Sequence, residues 1–136
     1  MERWVIRIFA ILVALNTAAY AQTQSVERTI KAQGGRDVRL GIFASIRPDC
    51  TAGSLPTIRL KVPPKHGKVT VKQAKLRTTN FRQCLAVEVP AFIAIYRSVP
   101  DYTGDDVVVL EVISGAKIQV QRMTIKVKSR SNRQRI

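Results

Sequence analysis

The chain has 136 residues, with 23 Lys and Arg against 9 Asp and Glu, a formal charge of +14 and 46% hydrophobic residues. That length holds one domain and excludes two, and the apolar content excludes wholesale disorder. The charge excess favours a soluble chain that repels its own copies and attracts polyanions, without saying which polyanion.

The first 21 residues read as a targeting segment. Arg3 and Arg7 precede or border an uncharged apolar run, Ile8 to Leu15, and Ala19-Tyr20-Ala21 has the A-x-A form of a signal-peptide cleavage site. The uncharged stretch from Ile8 to Ala21 falls short of the ~20 residues that a membrane-spanning helix needs. The expectation is a signal peptide at 1–21, cleaved after Ala21, and an exported protein, periplasmic or extracellular. Losing Glu2, Arg3 and Arg7 takes the charge only from +14 to +13, so the basicity belongs to the domain that follows. Both cysteines, Cys50 and Cys84, lie in that domain. An even count in an exported chain reads as one disulfide, worth on the order of 3–4 kcal/mol by loop entropy. Two Cys and one His lack the spacing of a metal site, and no Cys-x-x-Cys marks a redox centre.

From residue 22 the chain reads as successive strands. Ser25 to Ala32 alternates weakly, and Gly34-Gly35 signals a turn. Asp37 to Ile46 alternates cleanly, with Val38, Leu40, Ile42, Ala44 and Ile46 on one face, and predicts a half-buried strand. Arg47 to Ser54 is loop chemistry. Leu55 to Val62 is a strand stopped by Pro63-Pro64, since proline cannot donate to a ladder. Lys68 to Val71 begins a return strand. Lys72 to Gln83 is polar and poorly periodic and reads as a ragged edge or long loop. Cys84 to Val89 resumes the alternation, Pro90 suggests a bulge or an edge location, and Phe92 to Val99 continues it. Val107 to Ile113 is apolar at almost every position, the pattern of a strand central in its sheet. Lys117 to Lys128 is the last strand, and the phase change from Ile118 and Val120 to Met123, Ile125 and Val127 predicts a bulge near Gln121-Arg122. Residues 129–136, with Arg130, Arg133 and Arg135, read as a basic flexible tail. No long helical period appears. About seven short strands separated by turn signals predict an all-β antiparallel sandwich over 22–128.

Two motifs in this stretch resemble a known family. Pro64-Lys65-His66-Gly67-Lys68-Val69 looks like the turn of bacterial Ig-like and cadherin-like repeats, found in surface adhesins and small exported proteins. Those repeats continue with two aromatics six residues apart, a Gly, and an Asp two residues on. The matching positions are Tyr96, Tyr102, Gly104 and Asp106. The resemblance covers Ile58 to Val112 and implies a seven-stranded Ig-like sandwich in a single copy, with the residues of both motifs as structural turn residues. It departs at Pro100, which stands later than the family's proline, and at Val108 and Leu110, where the family has aromatics. The local physics agrees: Tyr102 can cap the end of a sandwich with its hydroxyl on a backbone carbonyl, Gly104 suits a positive φ, and Asp106 can accept turn amides.

Four readings of function are weighed by their chemistry. Asp101, Asp105 and Asp106 could be taken for a calcium loop, but calcium needs six to eight oxygens and one carboxylate suffices for the turn. His66, the sole histidine, has no partner in a nucleophile motif or carboxylate pair, so neither a catalytic residue, a cofactor nor a metal is expected. The basic surface is the remaining candidate. Lys65, Lys68, Lys72 and Arg77 cluster around the Pro-Pro-Lys-His-Gly hairpin as candidate anion contacts. In an exported monomer the partner would be an acidic polysaccharide, lipopolysaccharide, an anionic membrane surface or an acidic protein. Nucleic acid is disfavoured by compartment and by the 6% aromatic content, which offers no stacking platform. The alternative is a protein-interaction module, an inhibitor or assembly factor, using an exposed loop or edge strand within Lys72 to Gln83.

Overall fold

A computed structural model describes residue 18, residues 22–79 and residues 83–129. The signal peptide expected at 1–21 (apart from residue 18) and the tail beyond Ser129 lie outside the described residues. Seven strands run through the rest: β1 (Gln22–Gln33), β2 (Asp37–Phe43), β3 (Thr57–Val62), β4 (Gly67–Thr78), β5 (Val87–Ser98), β6 (Gly104–Ser114) and β7 (Lys117–Lys128). They form a four-stranded sheet, β1-β7-β6-β3, and a three-stranded sheet, β2-β5-β4. The fold is all-β, with one disulfide between Cys50 and Cys84.

The main core lies between the sheets. Leu40 and Tyr96 from the three-stranded sheet meet Val108, Leu110, Met123 and Ile125 from the other, all fully buried. Strand β6 is central, between β7 and β3, which explains why its run of Val107 to Ile113 is apolar on both faces.

Several details differ from the sequence expectation. The sandwich is not wholly antiparallel, because β1 pairs parallel to β7 along its full length, Gln22 with Lys117 through Gln33 with Lys128. Strand β2 ends at Phe43 rather than Ile46, and its ladder with β5 shifts register between Arg39 and Gly41. The stretch read as a ragged edge or long loop from Lys72 is instead strand as far as Thr78, paired residue for residue with β5. It does lie at the sheet edge. Pro90 sits in the middle strand of its sheet without a bulge against β4. It is tolerated because the pairing of β5 with β2 stops at Phe92, so β5 has a single neighbour there. No bulge interrupts β7 against β6. Gln121, Met123, Ile125 and Val127 face the core, and Ile118 and Val120 fall on the outer face of the sheet.

The β4–β5 hairpin explains the aperiodic reading. Val69 pairs with Tyr96 and faces the main core, whereas further along Ala74, Leu76 and Thr78 pair with Ala91, Val89 and Val87. These are even positions on β4 after an odd one, so the buried side has changed while the ladder has not. The far half of the hairpin buries its opposite face in a second cluster, where Cys84, Val87 and Val89 meet Ala44, Ile46, Cys50 and Leu76. The segment after β2 therefore crosses onto the outer face of the three-stranded sheet. The disulfide fixes it there, with Gln83 Nε2 donating to Pro48 O at 2.7 Å beside it.

Candidate functional site

At the end of the sandwich where β4 begins, the two motifs converge on Asp106. Its side chain is 2% exposed and accepts four hydrogen bonds. Oδ1 receives the amides of Lys65 (2.9 Å) and Val107 (3.0 Å); Oδ2 receives the amide of His66 (3.0 Å) and the buried hydroxyl of Tyr96 (2.8 Å). Burial opposes the charge on this carboxyl, but the hydrogen bonds from Tyr96, Lys65, His66 and Val107 outweigh it and hold Asp106 below the usual carboxylate range. Burial, then the hydrogen bond to Asp106, push the Tyr96 hydroxyl well above its ordinary value, so it stays a donor. Both oxygens of Asp106 are thus committed to donors within the fold.

The surrounding turn residues complete this corner. Pro64 stops the preceding segment and His66 O accepts the amide of Val99 at 2.8 Å. The His66 ring stacks on Tyr102, with centroids 3.9 Å apart and planes 6° from parallel. The Tyr102 hydroxyl donates to Asp105 O at 2.6 Å. Gly104 has φ +138°, a conformation that side chains disfavour, and a Cβ at Gly67 would stand 2.6 Å from both Arg97 O and the Tyr96 ring. His66 is therefore a turn residue in contact with an aromatic ring, and none of these groups is arranged as a base beside a nucleophile.

The basic candidates separate onto two faces. Lys65, Lys68 and Lys72 line one groove of about 540 Å³ on the outer face of the three-stranded sheet, together with Thr70, Ile95 and Arg97. Register explains the grouping: Lys68, Thr70 and Lys72 stand opposite Arg97, Ile95 and Ile93, and alternate positions share a face. Arg77 is odd-numbered on the same strand and points to the other face, where it and Lys75 approach Glu88 at 3.7 and 3.8 Å. Arg77 therefore leaves the candidate cluster. None of Lys65, Lys68 and Lys72 forms an ion pair among the described residues.

Arg97 and Asp37 join this surface and were not anticipated. Arg97 Nε donates to Asp37 Oδ1 at 2.7 Å, a bond that holds Asp37 below its ordinary value and raises Arg97 above its own. The two residues are sixty positions apart in sequence, and only the pairing of β2 with β5 brings them together. A second groove, of about 430 Å³, opens beyond Asp37 and is lined by Lys31, Arg36 and Lys128.

No family model matches the chain, and no curated protein matches it. Among solved structures it is similar to the solution structure of amebosin, at 10% identity and a TM-score of 0.43, over 79% of this chain and 99% of that one.

Proposed function

We propose that the protein is an exported, non-catalytic Ig-like module of the cell envelope that binds an anionic partner through the outer face of β2-β5-β4. The observation that carries this reading is the groove in which Lys65, Lys68 and Lys72 converge, none of them in an ion pair among the described residues, while the groove's acid, Asp37, is engaged by Arg97. Three lysines on one face, in a chain of +14, attract polyanions and release screening ions when they bind. The Ig-like assignment is supported by strand order. The runs β2-β5-β4 and β3-β6-β7 follow the two-sheet order of immunoglobulin domains, with β1 added beside β7. The disulfide differs from that of antibody domains, since it pins a loop to one sheet rather than joining the two. Its presence agrees with an oxidising compartment and with the signal peptide read at 1–21.

The test is retention of the oxidised protein on a panel of immobilised acidic polymers, across a salt series. Retention that falls steeply with salt and is lost in Lys65→Glu/Lys68→Glu/Lys72→Glu, but kept in Arg77→Glu, supports the reading. Equal weak retention of all three proteins refutes it. A second reading, a protein-interaction module, rests on the free edge of β4, twelve residues long with Val71 exposed on it. It predicts a protein partner whose binding depends little on salt and is blocked by proline at alternate β4 positions.

A further inference from the structure

The two basic grooves adjoin. Asp37 lines both, and among the described residues it is the only acidic one lining either. Its carboxylate is already engaged by Arg97, so the ridge between the grooves presents a neutral ion pair rather than a negative barrier. A basic path therefore runs from Lys72 and Lys68 across Arg97 and around the β2 edge to Arg36, Lys31 and Lys128. Strand rise and strand spacing give it a length on the order of 30 Å.

Resting on the polyanion reading above, we propose that the ligand is one long linear acidic polysaccharide occupying both grooves at once. The shape of the path argues for a flexible polymer over a membrane. One groove lies on the outer face of the three-stranded sheet, and the other opens at the side, between the ends of β1, β2 and β7. A flat lipid surface cannot meet both. Composition argues against a protein or single-stranded nucleic acid. Lysine is depleted at protein interfaces, where aromatics and Met are enriched, and no aromatic lines either groove to stack a base. On the path, Lys68 and Lys72 are four residues apart on an extended strand, about 13 Å, so they reach separate sugars of an extended chain.

Two half-sites on one chain raise affinity through effective concentration, and only a ligand long enough to span them gains by it. The experiment measures binding of a tetrasaccharide and a dodecasaccharide of polygalacturonate at one salt concentration. The proteins are wild type, Lys65→Ala/Lys68→Ala/Lys72→Ala and Lys31→Ala/Arg36→Ala/Lys128→Ala. The expected result is at least tenfold tighter binding of the long chain by wild type, with most of that gain lost in either triple variant. Equal affinity for the two lengths, or a long-chain affinity untouched by the second triple, overturns the spanning site and leaves a single groove. Anionic phosphatidylglycerol vesicles bound as tightly as the dodecasaccharide would overturn the polymer assignment. Absence of binding to any acidic probe would instead remove the underlying polyanion reading.

Discussion

Replacing Asp106 by Ala tests what holds the end of the sandwich together. The change removes four accepted hydrogen bonds and leaves the Tyr96 hydroxyl buried without an acceptor. A buried donor left unpaired costs about 1–3 kcal/mol, while the turn amides of Lys65 and His66 can partly recover water. The expected loss is about 4 kcal/mol, a large share of the 5–15 kcal/mol typical of a domain. Tyr96→Phe removes the donor and leaves the carboxylate its three amides, so about 1–2 kcal/mol is expected. In the double variant the two losses overlap, with a coupling of about 1–2 kcal/mol. Urea unfolding of the oxidised protein reads all three. The pH profile adds an independent check. The folded carboxyl lies below its unfolded value of 3.8, so its contribution is complete above that value and fades as pH falls toward the folded value. The gap between wild type and Asp106→Ala should therefore be constant from about pH 5 to 8 and narrow below about pH 4. A loss under about 1 kcal/mol, or a gap that widens in acid, would refute the carboxylate's role as the organiser of this corner.

Other perturbations probe the rest of the fold. Cys50→Ala/Cys84→Ala should cost about 3 kcal/mol, and amide exchange should quicken along Ala74 to Thr78 and Val87 to Ala91 while β6 and β7 stay protected. Gly67→Ala should destabilise by about 2–3 kcal/mol in thermal unfolding, because the new Cβ meets Arg97 O and the Tyr96 ring at 2.6 Å. Gln121 is 8% exposed and its Oε1 has no partner among the described residues, so Gln121→Met should raise the melting temperature, with a gain of about 1 kcal/mol, as Gln119 turns to solvent. Tyr96 titrates above its ordinary value, so its contribution is complete below about pH 10 and lost as pH rises above it. Tyr96→Phe should flatten the alkaline limb of the stability profile.

Period-2 alternation was enough to place most strands, because Val, Ile and Leu at alternate positions can face only one side of a pleat. It failed where the buried side changed within a strand. On β4, Val69 faces the main core and Leu76 the second cluster, so the stretch looks aperiodic although its ladder is unbroken. On β7, Ile118 and Val120 lie outward beside polar inward positions at Gln119 and Gln121, a departure that mimics a bulge. Tyr102 and Gly104 were legible because their roles are local, a hydroxyl reaching a nearby carbonyl and a positive φ, whereas the partners of Asp106, the Lys65 and His66 amides and the Tyr96 hydroxyl, depend on how distant segments meet. Lys65, Lys68 and Lys72 were legible as a group because they share one hairpin. Arg77 was misgrouped with them because the strand was read as a loop, and loop residues carry no parity. Arg97 and Asp37 could not be found, since their contact depends on which strands pair.

The exchange of faces on the β4–β5 hairpin links the disulfide to the basic groove. Lys68, Lys72, Leu76 and Thr78 all point to the same side of β4, yet the first two face solvent and Leu76 is packed under the segment after β2. Covering that half with the loop from Ala44 to Ser54 supplies the apolar contact that the far hairpin lacks, and Cys50–Cys84 holds the cover in place. The uncovered half then needs side chains that tolerate water on a sheet face, and long cationic stems over Ile95 and Thr70 meet that need. Lysines at an edge also discourage pairing with another chain's strand. Edge protection alone would be served equally well by Lys on either face of β4. On the inner-facing side Lys75 and Arg77 both approach Glu88, whereas on the groove side the acid, Asp37, is engaged by Arg97, and Lys68 and Lys72 form no ion pair among the described residues. That asymmetry between two faces of one strand is what edge protection does not explain, and it is the ground on which the anionic ligand is proposed.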